Sequence, residues 1–209
     1  MKLSTFVKAA GLAALFAAGA ASAAPVNLIT NGDFESYSDI YVPNGGYAVV
    51  FNGSGQITGW DVGANSVDLI KNAYNSITTT SVDMLGTPGP GQISQNFNYA
   101  ANTTYTLSFD LTHNPYASNG AQVQVDFFGQ SHIVDGMNPL HTETFTFTTG
   151  ATGGVSTLSF SSIGGDGYSG GVIDNVSVSA PVPEPETYAM LVAGLGLMAF
   201  VSRRKGKQA

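Results

Sequence analysis

One stretch of this 209-residue chain decides its fold class: Thr104-Tyr105-Thr106-Leu107-Ser108-Phe109-Asp110-Leu111-Thr112. Large apolar side chains alternate with small polar ones along the whole stretch. A period of two places each set on its own face of a β-strand, whereas a helix would spread both sets around its axis. The stretch therefore predicts a strand with one face in a hydrophobic core.

Similar short runs recur between residues 24 and 180, each bounded by Gly, Asn, Pro or Asp. The other predicted strands are Val67–Ile70, Ser81–Leu85, Ile93–Phe97, Gln122–Phe127, Thr144–Thr148, Leu158–Ile163 and Gly171–Ser179. Asn-Gly and Asp-Gly dipeptides, which are typical of tight turns, lie between or beside them. Eight or nine short strands without a convincing helix predict an all-β domain, a two-sheet sandwich of the jelly-roll type.

The charge of this region limits its partners. Lys71 is the single basic residue between residues 24 and 180, which contain twelve acidic residues, so the formal net charge there is −11. Such a charge argues against nucleic acid or anionic lipid as a partner of the folded domain. Many carboxylates have no cationic side chain to pair with, which makes divalent cations plausible partners. The chain has no cysteine, so disulfides do not stabilise it.

Residues 1–23 predict a secretory signal peptide. Lys2 and Lys8 supply positive charge, an apolar stretch follows, and Ala21 and Ala23 form a small-x-small cleavage site. The alternative is an N-terminal membrane anchor, but the apolar run is shorter than the roughly 20 residues that a spanning helix needs.

The C-terminal end predicts a second membrane-directed segment. Residues 181–186 form a linker of Pro and Glu, residues 187–202 are uncharged and largely apolar, and residues 203–209 are basic. We expect a transmembrane helix whose cytoplasmic side is marked by Arg203, Arg204 and Lys205. The helix is short and rich in Gly and Ala, so its anchorage should be weak or temporary.

This end resembles the PEP-CTERM sorting signal, in which a Pro-Glu-Pro motif, an apolar helix and an Arg-rich cluster follow in that order. The resemblance implies cleavage by an exosortase-type membrane enzyme near Pro183, Glu184 and Pro185. It also implies delivery to the cell surface or extracellular matrix of a Gram-negative bacterium. An ordinary single-pass anchor after a proline linker is the alternative.

The segments that open and close the domain are Asn27–Glu35 and Val172–Val178. In a regular last strand, Asp174 would share one face with Val172, Val176 and Val178, so its carboxylate would need a partner inside an apolar environment. Because basic side chains are almost absent, that partner is either backbone amides or a cation.

These two segments resemble the ends of the choice-of-anchor C family and, more loosely, of galactose-binding-like carbohydrate-binding modules. The likeness continues through residues 56–62, 66–70, 90–97 and 104–111. It implies that the first and last strands lie side by side, and that Glu35 and Asp174 hold a structural Ca²⁺ together with backbone carbonyls. The alternative is that Glu35 is solvated and Asp174 accepts hydrogen bonds from local amides.

Three aromatic residues are candidates for a ligand site. The chain departs from the family pattern between Asn72 and Ser81, where Ala73-Tyr74 replaces an expected tryptophan-containing turn. Tyr74 and Tyr116 are the predicted loop aromatics that stack on a sugar, because an aromatic ring matches the apolar face of a pyranose; alternatively both merely cover loop edges. Trp60, the only tryptophan, is predicted to lie in the core.

The sequence contains no recognisable catalytic motif. His113, His132 and His141 have no second metal-ligand residue at a suitable spacing, and no nucleophile or phosphate-loop pattern occurs. We therefore expect no enzyme, but an exported surface or matrix module that associates with bacterial exopolysaccharide. The alternatives are a structural biofilm or envelope protein without a defined glycan, and a hydrolase with unrecognised carboxylates.

Overall fold

The computed structural model describes residues 25–118, 120–164, 167–181 and 192–196. Val26–Pro181 form one compact unit. Outside it, residues 192–196 are helical, and no helix among the described residues is long and apolar enough to span a membrane. Most of the predicted transmembrane helix lies outside the described residues.

Three other predictions also fall outside the described residues. They concern the signal cleavage site at Ala21 and Ala23, the sorting motif at Pro183–Pro185, and the basic cluster at Arg203, Arg204 and Lys205.

Eleven strands are found among the described residues. They are β1 (Gly46–Phe51), β2 (Asp61–Ala64), β3 (Ser66–Lys71), β4 (Thr80–Asp83), β5 (Gly91–Tyr99), β6 (Thr104–His113), β7 (Gln122–Phe127), β8 (Gln130–Asp135), β9 (His141–Thr148), β10 (Gly154–Ser162) and β11 (Gly171–Ser179). They form a six-stranded sheet in the order β1-β3-β4-β11-β6-β9 and a five-stranded sheet in the order β2-β5-β10-β7-β8. The strand pairs are antiparallel. The predicted all-β jelly-roll sandwich is confirmed.

Each predicted strand is present, and three further strands were not predicted from the sequence. In β1, Tyr47 and Val49 point to one face of the sheet, and Ala48 and Val50 point to the other. Both faces of the strand are therefore apolar, and its sequence shows no alternation of polar and apolar residues. Strand β2 has only four residues, and β8 is an edge strand in which Val134 alone is buried. Alternation of polar and apolar residues identifies strands that are buried on one face only. Strands β1, β2 and β8 escape this criterion because they are apolar on both faces, too short or too exposed.

The core lies between the two sheets. Strand β6 contributes Leu107, Phe109 and Leu111 to it, all fully buried, which is the face that the alternation predicts. Burying one such side chain contributes about 1.5–3 kcal/mol to the free energy of unfolding.

Trp60 is part of the same core and is 2% exposed, so the prediction of a core role is confirmed. Its ring lies 5.4 Å from that of Phe34 and 6.2 Å from that of Phe160, measured between centroids. Its Nε1 donates a hydrogen bond of 3.0 Å to the carbonyl oxygen of Asn31, which satisfies the one polar atom of the buried side chain.

The opening segment lies against the last strand. The amide of Leu28 donates to the carbonyl oxygen of Val178, and the amide of Val176 donates to that of Gly32, each at 2.8 Å. The expected proximity of the two ends is therefore found, but the opening segment is not a strand. Asn31 and Phe34 both have φ of 53°, a left-handed conformation that interrupts extended pairing.

The face assigned to Asp174 from the sequence is wrong. Strand β11 has a register irregularity between Asp174 and Ser177, and Asn175 has φ of 51°. Ile173 and Val176 therefore both face the core, and Asp174 lies on the opposite face, away from the second sheet. It is nevertheless buried, because a loop covers it.

The close approach at Gly32 gives a prediction for stability. A Cβ at this position would overlap the carbonyl oxygen of Val176, so we expect Gly32→Ala to lower the free energy of unfolding by about 2 kcal/mol or more. Urea unfolding of the full chain in a nonionic detergent, followed by the fluorescence of the single buried tryptophan, measures this. The matched control is Gly150→Ala, where a Cβ would meet nothing within 4 Å. Equal unfolding midpoints for the two variants would contradict the proposed packing of the opening segment.

Candidate functional site

A small cavity of about 130 Å³ opens on the outer face of the six-stranded sheet, the face turned away from the second sheet. We call it the tyrosine pocket. Its lining residues are Tyr47, Asp68, Ile70, Tyr74, Thr87, Asn114, Tyr116, Tyr168 and Ser169. On β3, Val67 and Leu69 join the core, so Asp68 and Ile70 necessarily face outward and form part of the pocket floor.

The four tyrosines come from four separate segments of the chain. Tyr47 belongs to β1, and the other three lie in the loops that follow β3, β6 and β10. The Tyr74 ring lies 5.8 Å from that of Tyr47 and 6.2 Å from that of Tyr116, measured between centroids. The structure thus brings together the two tyrosines that the sequence singled out, and adds Tyr47 and Tyr168.

The backbone around Tyr74 is held in an uncommon conformation. Tyr74 has φ of 54°, and Asn72 and Asn75 are also in the left-handed region. For a bulky side chain such as tyrosine, this conformation persists only where surrounding contacts fix it. One such contact is the hydrogen bond of 2.9 Å that the Asn75 Nδ2 donates to the carbonyl oxygen of His113.

Asp68 is the charged group at the floor of the pocket and is 4% exposed. Its two carboxylate oxygens accept hydrogen bonds of 3.1 Å from the amide and the hydroxyl of Thr87. Burial raises the pKa of Asp68 to about 6, although the hydrogen bonds from Thr87 act in the opposite direction. The carboxylate is therefore mostly ionised at pH 7.

Asp83 lies beside Asp68 as its register partner on β4. Its carboxylate accepts hydrogen bonds from the Asn114 Nδ2 at 2.8 Å, the Leu85 amide at 3.0 Å and the Gly170 amide at 3.1 Å. Burial raises the pKa of Asp83 to about 7, the hydrogen bonds lower it, and the negative charge of Asp68 raises it further.

These hydrogen bonds fasten two walls of the tyrosine pocket to its floor. Asn114 donates to Asp83 and accepts a hydrogen bond of 3.1 Å from the amide of Tyr116, while Gly170 follows Tyr168 by two residues. Sequence reasoning did not identify Asp83. The sequence feature that could have identified Asp83 is its position between Val82 and Met84, as an acidic residue in an otherwise apolar run. Acidic residues are, however, more often solvated than buried.

The predicted calcium ligands also come together. The Thr78 Oγ1 lies 2.6 Å from the Asp174 Oδ2, 3.3 Å from the Glu35 Oε1 and 3.2 Å from the carbonyl oxygen of Thr80. A hydroxyl carries one proton and satisfies one of these three acceptors at a time. Burial raises the pKa of Asp174, against hydrogen bonds from Thr78 and Ser81 that lower it.

The cluster contains two carboxylates and a backbone carbonyl, the oxygen ligands that Ca²⁺ prefers. Protein donors already reach both carboxylates: Asp174 accepts from the amides of Thr78 and Asn175 and the hydroxyls of Thr78 and Ser81, and Glu35 accepts from the amide and hydroxyl of Thr80. Among the described residues, no group of three or more His, Cys, Asp and Glu side chains is arranged to hold a metal ion. A cation here would therefore depend on Glu35 and Asp174 together with carbonyl, hydroxyl or water oxygens.

The histidines make separate, local contacts. The His113 Nδ1 lies 2.9 Å from the carbonyl oxygen of Gly136, His132 stacks on Phe145, and the His141 Nε2 lies 3.1 Å from the Glu143 Oε1. The last two belong to the edge strands β8 and β9. None of the three lines the tyrosine pocket.

Comparison with solved structures finds similar sandwiches. A CBM4 structure is 20% identical, with 73% of this chain and 99% of its own length covered, at a TM-score of 0.45. A family 16 carbohydrate-binding module is 17% identical, with 73% and 99% covered, at a TM-score of 0.43. The enzymatically active domain of the bacteriophage CBA120 tailspike protein 4 is 13% identical, with 74% and 21% covered, at a TM-score of 0.49.

Among curated proteins, halomucin from Haloquadratum walsbyi is 30% identical over 172 residues. The match covers 77% of this chain and 2% of halomucin, so the chain spans a very small part of that relative's length.

Two sequence families match different parts of the chain. The PEP-CTERM protein-sorting motif matches residues 181–205, which confirms the resemblance noted from the sequence and indicates export and a surface location. The more specific resemblance to the choice-of-anchor C family stays a prediction. The family described as a protein of unknown function, DUF642, matches residues 27–179, and since this is most of the chain, the protein belongs to the DUF642 family.

Proposed function

We propose that this protein is a non-catalytic glycan-binding module of the cell surface or extracellular matrix, and that its tyrosine pocket holds the sugar. The observation that carries the proposal is the convergence of four tyrosines, from four separate segments, on one cavity with a polar floor. Aromatic rings offer the flat apolar surface on which a pyranose ring stacks, and polar groups beside them select its hydroxyls.

The exposure of the tyrosines supports binding over a purely structural role. Tyr116 is 71% exposed, and Tyr168 and Tyr47 are also exposed, so these rings gain little from burial in the free protein. Tyrosines that only covered loop edges would be expected to lie flat against the apolar side chains beneath them. Rings left open around a cavity gain their burial when a ligand enters.

The size of the pocket favours a single sugar unit. A cavity of about 130 Å³ is smaller than the roughly 300–1,000 Å³ of pockets that enclose drug-sized ligands. The pocket is therefore suited to one ring, such as a chain end or a branch of a polysaccharide. Thr87, Asn114 and Ser169 are the neutral polar side chains placed to contact its hydroxyls.

The carboxylates of the pocket are poorly arranged for glycosidic hydrolysis. That reaction needs two carboxyl groups that reach opposite sides of the scissile bond. The oxygens of Asp83 accept hydrogen bonds from Asn114, Leu85 and Gly170, and its side chain is buried and does not line the cavity. Among the described residues, Asp68 is the one carboxylate that lines the cavity, which is why we propose binding without turnover.

The route to the surface follows from the two chain ends. We infer that the signal peptide is removed after Ala23, and that the apolar segment at residues 187–202 enters the membrane temporarily, with Arg203, Arg204 and Lys205 in the cytoplasm. An exosortase-type enzyme then cuts near Pro183, Glu184 and Pro185. The released domain associates with the exopolysaccharide of a Gram-negative bacterium.

A structural Ca²⁺ between Glu35 and Asp174 is also part of the proposal. These residues lie on the opening segment and on β11, and both contact Thr78 in the loop after β3. An ion at this point would hold three segments together and would compensate two carboxylates that lack cationic partners.

Loss of a pocket tyrosine should weaken glycan binding. We expect Tyr116→Ala and Tyr74→Ala each to weaken the binding of the full chain to exopolysaccharide about tenfold, equivalent to about 1.4 kcal/mol, because a stacking surface is removed. The measurement is co-sedimentation of purified chain with isolated exopolysaccharide. The matched control is Tyr41→Ala, which removes an 82% exposed tyrosine outside the pocket and should have no effect.

Two results would favour the alternative functions. Unchanged binding in both pocket variants, or the absence of any glycan ligand on an array, would favour a structural matrix protein. Release of reducing sugars from the polysaccharide on prolonged incubation would favour a hydrolase.

Removal of calcium should lower thermal stability. We expect the melting temperature of the full chain to fall by several degrees when a chelator is added. An ion whose free concentration is 100 times its dissociation constant adds about 2.7 kcal/mol to the free energy of unfolding. Glu35→Gln and Asp174→Asn should melt at the lower temperature with or without Ca²⁺. A midpoint that does not respond to chelator in the unmodified chain would rule out the calcium site.

A further inference from the structure

Among the described residues, the tyrosine pocket combines negative charge with no compensating positive charge. Asp68 lines the cavity, Asp83 lies beside Asp68 on the neighbouring strand, and none of the described lining residues is basic. Lys71 is the single basic residue of the Val26–Pro181 unit, and it is engaged elsewhere. Its Nζ donates a hydrogen bond of 3.2 Å to the Tyr37 hydroxyl and lies 5.9 Å from the centre of that ring.

The aromatic rings of the pocket are inclined to one another and are not stacked in parallel. The interplanar angle is 77° between Tyr47 and Tyr74, and 57° between Tyr74 and Tyr116. Rings at such angles do not stack on one another, and all four tyrosines line the cavity. The face of an aromatic ring carries partial negative charge, so several faces around one cavity attract a cation, and this arrangement recurs where proteins bind ammonium groups.

We propose that the tyrosine pocket binds an ammonium group, carried either by an unacetylated amino sugar of a polysaccharide or by a small quaternary amine. This inference rests on the pocket being the binding site proposed above, and it specifies the charge of the ligand. Tyr47, Tyr74, Tyr116 and Tyr168 surround the ammonium group, and the Asp68 carboxylate supplies the opposite charge.

The cost of burying Asp68 is the physical reason for a cationic ligand. A neutral sugar that fills the cavity removes the remaining water from the carboxylate and offers only hydrogen bonds in return. An ammonium group fills the same space and also compensates the charge. The two hydrogen bonds from Thr87 hold the carboxylate in place, so little ordering is needed when the ligand binds.

The groups that face Asp68 allow its titration to be followed. Its register partners are Val49 on β1 and Asp83 on β4, and Thr87 donates to it from the segment after β4. None of these is basic. Burial raises the pKa of Asp68 to about 6, so the carboxylate becomes protonated as the pH falls through 6, and its attraction for a cation disappears there.

The test is isothermal titration calorimetry of the full chain in a nonionic detergent at pH 7.5, with three separate ligands. They are a hexamer of glucosamine, a hexamer of N-acetylglucosamine and choline. We expect the glucosamine hexamer to bind at least tenfold more tightly than its neutral acetylated counterpart. Choline carries a permanent charge, so its affinity should fall about tenfold between pH 7.5 and pH 5, as Asp68 and the neighbouring Asp83 become protonated while the charge of the ligand stays constant.

Two variants make the charge argument specific. Asp68→Asn keeps the shape of the side chain and a hydrogen bond with Thr87, and should abolish the preference for glucosamine over N-acetylglucosamine. Asp61→Asn removes an equal charge from an exposed position on the other sheet, and should leave the preference intact. Melting temperatures of both variants establish that they are folded.

The possible results separate this inference from the proposed function. Equal affinity for the two hexamers, with no binding of choline, would overturn the ammonium inference and leave glycan binding intact. Binding of choline without binding of either hexamer would support the ammonium pocket, assign it to a small amine, and contradict the proposed function. A preference for glucosamine that survives Asp68→Asn would overturn the role of the carboxylate.

Discussion

The outer face of the six-stranded sheet depends on buried carboxylates that have no cationic partners. Asp68, Asp83 and Asp174 lie on three neighbouring strands and are all buried. Since the unit contains one basic residue, each carboxylate is stabilised by hydrogen-bond donors from loops. Asp68 binds Thr87, Asp83 binds Asn114 and Gly170, and Asp174 binds Thr78. In this domain, loop amides and hydroxyls take the role that Lys and Arg play in most buried ion pairs.

This arrangement explains how exposed loops hold four aromatic rings in place. The Tyr116 loop is joined to Asp83 through Asn114, and the Tyr168 loop through Gly170. Loops of this kind are normally the mobile parts of a sandwich. Here hydrogen bonds fix these loops to strands of the sheet, which would reduce the entropy that they lose on binding the proposed ligand.

The sequence predicts those parts of the structure that depend on local pattern. Strand β6 is identified by its alternation, Trp60 by its size and Tyr74 by its place in a loop. Tyr47 was missed because it lies in β1, where apolar residues on both faces hide the strand. The predicted face of Asp174 was wrong because β11 contains one register irregularity between Asp174 and Ser177. Such an irregularity exchanges the two faces for all residues beyond it, and the local sequence pattern does not indicate where it occurs. Contacts between distant segments, such as that of Asp83 with Asn114, leave no signal in the spacing of residues.

The two candidate sites share one loop, and this relates the stability of the sandwich to the geometry of its pocket. Thr78 at one end of the loop lies between Asp174 and Glu35, while Tyr74, four residues earlier, forms a wall of the pocket. The left-handed backbone at Tyr74 is costly for a tyrosine and is maintained only while both ends of the loop are fixed. The hydrogen bonds of Thr78 with Asp174 and Glu35 therefore fix one end of the loop that holds Tyr74, because only a few residues separate the two places.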